Sequence, residues 1–306
     1  MTDFKLRRSM LYVPGNMPSM LQNIPLFKCD SIIIDLEDGV NYAEKDAARI
    51  LVTNFLQNYR KRSQEVLVRI NPLYTKWGYD DLKMILPAGP DGIRFPMAET
   101  PELVRELDEA LTKYEKQAGL EVGHFSILPS IETIKSVLNA YEIAKSSKRL
   151  TGLAFGAEDF TASMGIQRTR TGEELFHARM VVVWAAKAAG IQAIDTVFSD
   201  ANDMEALLHE TEMARKLGYT GKSMVNPRQI DVIHQAFAPK QEEIDHALKV
   251  VEAIKQARLM GTGVISLGGK MVDAPVVKRA VTTLQIAYAQ GLINEQINEE
   301  VIYGKE

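Results

Sequence analysis

The chain has 306 residues, 46% of them hydrophobic and 25% charged, with a formal net charge of −4. Those proportions are ordinary for a globular protein, and an acidic balance without a basic stripe excludes a dedicated nucleic-acid binder. A single cysteine, Cys29, excludes an internal disulfide or a cysteine metal cage. With no apolar run near the ~20 residues that span a bilayer, a cytoplasmic protein outside the membrane is expected.

Eight short runs read as strands in chain order: 9–14, 31–38, 65–71, 92–96, 124–132, 150–159, 191–198 and 221–226. Most are continuously apolar, as parallel strands buried on both faces should be. Between them, segments such as 42–60, 101–117, 133–145 and 174–189 repeat apolar residues every three or four positions, the helical spacing. Gly190 and Gly218 sit where helices should stop, and Thr100 precedes Pro101 at a helix start. Eight βα units in succession favour a closed (β/α)8 TIM barrel over an open doubly wound sheet. The first turn, Pro14-Gly-Asn-Met-Pro18, also lacks the glycine pattern of a nucleotide fold.

The barrel is expected over residues 1–238 and a helix-hairpin-helix extension over 239–306. The extension reads as a helix at 241–259, a flexible turn at Gly261-Thr-Gly263, and strands 264–267 and 270–272 around Gly268-Gly269. A last helix covers 275–290. Such a segment suits a lid, an oligomerisation element or a plain helical cap.

In a parallel barrel the chemistry lies where strands end. Those ends supply Asp35, Glu37 and Asp38, then Arg69 and Asn71, Arg94, Glu132, Glu158 and Asp159, Asp195, and Asn226. Three strands ending in acid are poor choices for stability and good ones for holding a hard cation. Acids without histidine or thiolate partners suit Mg²⁺ or Mn²⁺. Glu132 and Asp159, on neighbouring strands, are the expected ligands, unless they serve only as first-turn or N-cap acids. Arg69, inside an apolar strand, needs a fixed anion. That anion is either Asp35 or Glu37, or a substrate oxygen. A serine-hydrolase elbow is absent, the five histidines are scattered, and Lys222 starts its strand at the wrong end for a Schiff-base aldolase. Arg168 and Arg170 fit either a phosphate grip or a solvated loop.

At these residues the sequence resembles the HpcH/HpaI-type metal-dependent aldolase and lyase family, in its citrate lyase branch. The resemblance is carried by Arg8-Ser-Met-Leu-Tyr-Val-Pro-Gly15, Asp35-Leu-Glu-Asp38, Val68-Arg-Ile-Asn71, Ser130-Ile-Glu132 and Gly156-Ala-Glu-Asp159. It continues through Ser199-Asp-Ala-Asn202, Gly221-Lys-Ser-Met-Val-Asn-Pro-Arg-Gln-Ile230 and Gly269-Lys-Met-Val-Asp-Ala-Pro275. It implies Mg²⁺ held by Glu132 and Asp159, with Arg69 and Glu132 meeting substrate. It implies cleavage of a citryl thioester on acyl carrier protein or CoA, within a citrate lyase complex that includes carrier and transferase subunits. It also implies a homotrimer or larger assembly that brings Asp273 to a neighbour's site. In that chemistry Asp38 or Glu37 takes the hydroxyl proton and Asp273 is the candidate acid.

Overall fold

The eight apolar runs close on one another. Strands β1 (Ser9–Pro14), β2 (Ser31–Asp35), β3 (Glu65–Arg69), β4 (Gly92–Phe95), β5 (Ser126–Ile131), β6 (Gly152–Phe155), β7 (Gln192–Asp195) and β8 (Gly221–Met224) pair in parallel and in sequence order. Strand β8 returns to β1 through Ser9–Lys222, Met10–Ser223 and Leu11–Met224, so the sheet has no edge. The structure, a computed structural model, describes residues 5–60, 62–259, 265–267 and 270–297. Its helices are α1 (Pro18–Asn23), α2 (Lys45–Asn58), α3 (Gly78–Ile85), α4 (Pro101–Ala118), α5 (Ile134–Leu138), α6 (Ala140–Ala144), α7 (Ala157–Met164), α8 (Phe176–Ala188), α9 (Met204–Leu217), α10 (Ile230–Phe237), α11 (Gln241–Leu259) and α12 (Ala274–Ala289). The expected (β/α)8 barrel is the observed fold.

Alternation along each strand sorts its residues between two cores. Leu11, Val13, Ile32, Ile34, Val66 and Val68 join the large core under the helices. Met10, Ile33, Leu67, Leu128, Ala154 and Ile194 fill a small core inside the barrel. Two residues further along, the same inward rows become Tyr12, Asp35, Arg69, Ser130, Gly156 and Thr196. The barrel is therefore plugged with apolar side chains below and lined with polar ones at the carboxyl end.

Several strands stop earlier than their apolar runs. Strand β2 ends at Asp35, because the Asp35 carboxylate accepts the Glu37 and Gly39 N–H groups at 2.9 and 2.8 Å and turns the chain. The run 150–159 splits into β6 and the first turn of α7, whose Ala157 N–H is tied to Thr196 Oγ1 at 2.9 Å. The helix expected at 133–145 breaks at Asn139 into α5 and α6. Gly190 and Gly218 do end helices, with φ of 73° and 107°.

Two compact units make up the chain: Arg7–Phe237, the barrel, and described residues 5–6 with 238–297. The second has its own core, in which Ile244, Val250 and Val251 of α11 meet Val277, Val281 and Leu284 of α12. Its hairpin pairs Ile265–Leu267 with Lys270–Val272, while the two glycine turns expected around it lie outside the described residues. Among the described residues no helix is long and apolar enough to cross a membrane.

Candidate active site

A cavity of about 440 Å³ opens among the carboxyl ends of the strands, lined in part by Tyr12, Asp38, Arg69, Arg94, Glu132 and Asp159. Residues from widely separated parts of the chain thus meet at one end of the barrel.

Glu132 follows β5 and is 4% exposed. Its Oε1 accepts the Met97 N–H at 2.6 Å, and its own N–H donates to Ser136 Oγ at 2.9 Å. No cationic nitrogen lies within ion-pair distance among the described residues. Burial raises its pKa; the Met97 N–H and Arg94 oppose the rise, and Asp159 adds to it. Gly156 lies against the same carboxylate: a Cβ there would stand 2.6 Å from Glu132 Cβ and 2.8 Å from Oε2. Met97 reaches its bond with φ at +48°, a left-handed conformation rare for a side-chain-bearing residue. Nothing in the sequence singled out Met97.

Asp159 is the third residue of α7. Gly156 is that helix's N-cap, so Asp159 has no capping role. Burial first, then the Asp38 carboxylate, raise the Asp159 pKa. The N-cap of α5 is Thr133, in a box with Ser136, which leaves Glu132 outside the helix as a strand-end acid. Among the described residues no three His, Cys, Asp or Glu side chains gather closely enough to cage a metal. Glu132 and Asp159 do line one cavity, and two carboxylates of that kind would suit a cation retaining several waters. The buried Glu132 carboxylate without a counter-ion fits such a group.

Arg69 has the anion expected of it in Asp35. Its Nε and Nη2 each donate to Asp35 at 2.7 Å, while Nη1 lies 3.0 Å from Glu37 and 3.6 Å from Asp38. Its guanidinium also stands 4.9 Å from the Tyr12 ring centroid. Asp35 is the structural counter-ion, held below the usual carboxylate range by Arg69 and two backbone N–H groups despite its burial. Nη1 is the nitrogen nearest the catalytic candidates. Glu37 moves the other way: burial pushes it up to about 9, against the pull of Arg69 and with the help of the Glu132, Asp38 and Asp35 carboxylates. Lys45 fixes this turn by donating to the Leu36 and Glu37 carbonyls at 2.8 and 2.6 Å.

Other strand-end residues do different work. Asp195 faces the helices, accepting from Arg179 at 2.9 Å and Lys222 at 2.7 Å. Asn71 donates to Leu36 O and Asp81, and Asn226 caps the turn at Pro227–Gln229. Arg168 pairs with Glu158 and Glu210, and Arg170 with Asp203, so neither is a free anion grip. Asp273 belongs to the second unit, where its carboxylate caps α12 by accepting the Val276 N–H at 3.2 Å. Ser9 and His234 pair at 2.7 Å, but at the amino ends of the strands, away from this cavity. Cys29 is buried, and its thiol is pushed up to about 12 by that burial.

Residues 8–227 match the model of the HpcH/HpaI aldolase/citrate lyase family. The chain belongs to this family. It is 45% identical to the citrate lyase subunit beta of Leuconostoc mesenteroides subsp. cremoris, over 97% of this chain and 99% of that one. It is 33% identical to the mitochondrial citramalyl-CoA lyase of Mus musculus, over 92% and 86% of the two chains. The citrate lyase beta subunit of M. tuberculosis complexed with oxaloacetate and magnesium superposes with a TM-score of 0.65 at 28% identity. That match covers 76% of this chain and 98% of that structure. Membership in the family and the citrate lyase relatives make this chain a carbon–carbon lyase of the citrate lyase type.

Proposed function

We propose that the chain cleaves a citryl thioester, on acyl carrier protein or CoA, to oxaloacetate and an acetyl thioester, as the beta subunit of a cytoplasmic citrate lyase complex with carrier and transferase subunits. The observation that carries this reading is Glu132: a buried carboxylate without a counter-ion, sharing a cavity with Asp159 and two arginines. Glu132 and Asp159 would hold Mg²⁺, or Mn²⁺ in its place. A divalent ion there supplies Lewis acidity, making a hydroxyl of the substrate easier to deprotonate.

The protein's own groups complete the step. Asp38, on the cavity and with its side chain 69% exposed, is placed to take the hydroxyl proton. As the C–O bond becomes a carbonyl, the bond to the thioester's CH₂ breaks and its electron pair becomes a thioester enolate. Arg69 Nη1, held in place by Asp35, stabilises that negative oxygen. One proton returned to the enolate carbon completes the acetyl thioester. Glu37, protonated at neutral pH by its burial, suits a donor better than the base role open to it from sequence. Asp273 of a neighbouring copy in a homotrimer is the other donor. Incubating the full chain and Mg²⁺ with citryl, citramalyl and malyl thioesters tests the reading. Cleavage confined to the citryl thioester supports it, and turnover of only the monocarboxylic thioesters refutes it.

A further inference from the structure

Arg94 has no ion-pair partner among the described residues. It lies in β4, 2% exposed, and lines the cavity. Its Nε donates to Tyr12 Oη at 3.3 Å, and its Nη1 is buried with no acceptor among the described residues. No carboxylate there stands within ion-pair distance of it. Arg49 and Arg179 also leave one nitrogen without an acceptor, but both hold ion pairs, to Asp81 and Asp195. Arg69, the register partner of Arg94 on β3, has its charge balanced by Asp35. Glu132 feels the charge of Arg94, yet its Oε1 is taken by Met97 and the two do not pair. A buried guanidinium without an anion is costly to maintain, so a substrate anion is the natural partner.

The substrate chemistry supplies one, on the reading that this site cleaves citryl thioesters. Malyl, citramalyl and citryl groups all carry a carboxylate on the hydroxyl-bearing carbon, beside the oxygen that the metal ligands serve. Only the citryl group has a second carboxylate, on a CH₂ arm where citramalyl has a methyl and malyl a hydrogen. The geometry points to Arg94 as the receptor of that arm carboxylate, and so as the residue that selects a dicarboxylic acyl group over a monocarboxylic one. Ser223 also lines the cavity, and its Oγ has no partner among the described residues.

Binding separates this proposal from the reaction itself. Calorimetric titration of the full chain with Mg²⁺ compares oxaloacetate, which has the arm carboxylate, with pyruvate, which lacks it. Arg94→Met should weaken oxaloacetate by about 10- to 100-fold, the range of a charge-assisted hydrogen bond, and leave pyruvate within about twofold. Arg94→Lys should recover part of the loss. Equal weakening of both ligands, or of neither, overturns the assignment. If Arg94→Met fails to fold by circular dichroism, wild-type protein decides with oxaloacetate esterified at the arm: binding equal to that of free oxaloacetate overturns the proposal. Wild-type protein that cleaves citryl thioesters but shows no arm preference loses the subsite and keeps the reaction. Protein that keeps an Arg94-dependent preference for oxaloacetate without cleaving citryl thioesters keeps the subsite and loses the reaction.

Discussion

The barrel handles charge in two opposite ways. Around its wall and amino end, buried ions are matched. Arg7 forms two bonds with Glu65, Arg149 binds Glu115 and Asp108, and Arg179 with Lys222 shares Asp195 and Glu210. At the carboxyl end the matching fails: among the described residues neither Glu132 nor Arg94 has an ion-pair partner, and Glu37 is pushed up to about 9 beside three other carboxylates. Buried ions are therefore a guide to the site only after the satisfied ones are set aside.

That contrast breaks most directly at Glu132. Glu132→Gln should lower citryl thioester cleavage about 10³-fold or more if, as proposed, it removes one of two metal ligands. It should leave the thermal midpoint in chelator unchanged or higher, because an uncompensated buried acid has been neutralised. A lower midpoint in chelator would show that Glu132 is a structural acid after all. Asp159→Ala should match the activity loss, and retained turnover with added Mg²⁺ would end its role as a ligand.

On the wall the expectation inverts. Arg149→Met strands Glu115, which is fully buried, and should cost about 3–5 kcal/mol of stability while the folded fraction keeps its turnover. Denaturant titration reads the first and active-site-normalised kinetics the second. Arg69 stands between the two regimes. Arg69→Lys keeps the charge but loses the planar fork on Asp35, and turnover should fall about 100-fold. Near-normal activity would assign Arg69 to the wall.

Glu37 sharpens the comparison through pH. Its carboxyl titrates at 4.5 in an ordinary setting and at about 9 in the fold. Its contribution is thus complete below pH 4.5 and is lost as pH rises toward 9. In chelator, Glu37→Gln should gain stability relative to wild type over that window. A stability difference constant from pH 5 to 9 would mean that Arg69, 3.0 Å away, keeps Glu37 ionised. The smallest effect is at Met97. Met97→Gly should change stability by no more than about 1 kcal/mol, whereas Met97→Val, β-branched at φ +48°, should cost about 1–3 kcal/mol by thermal melt.

Much of this was legible in the amino-acid order, because parallel strands buried on both faces leave long apolar runs with abrupt polar ends. Asp38, Glu132 and Asp159 announce themselves by following such runs, and Arg69 by lying within one. What an apolar run hides is the facing of each residue. Asp195 ends β7 as Asp35 ends β2, yet one points to the helices and the other toward Arg69. Arg94 was visible as a strand-end arginine, but its lack of a partner is a property of three dimensions. Met97 matters through its backbone N–H, which every residue but proline carries, so no side-chain pattern reveals it.

Gly156 sets a boundary on how this protein can be altered. A single added methyl would meet Glu132 at 2.6 Å, so the position admits no graded series of larger residues. Directed evolution of the enzyme toward new acyl groups must therefore work at other residues of the chamber, such as Arg94 and Ser223, and a change at Arg94 also alters the charge that Glu132 feels.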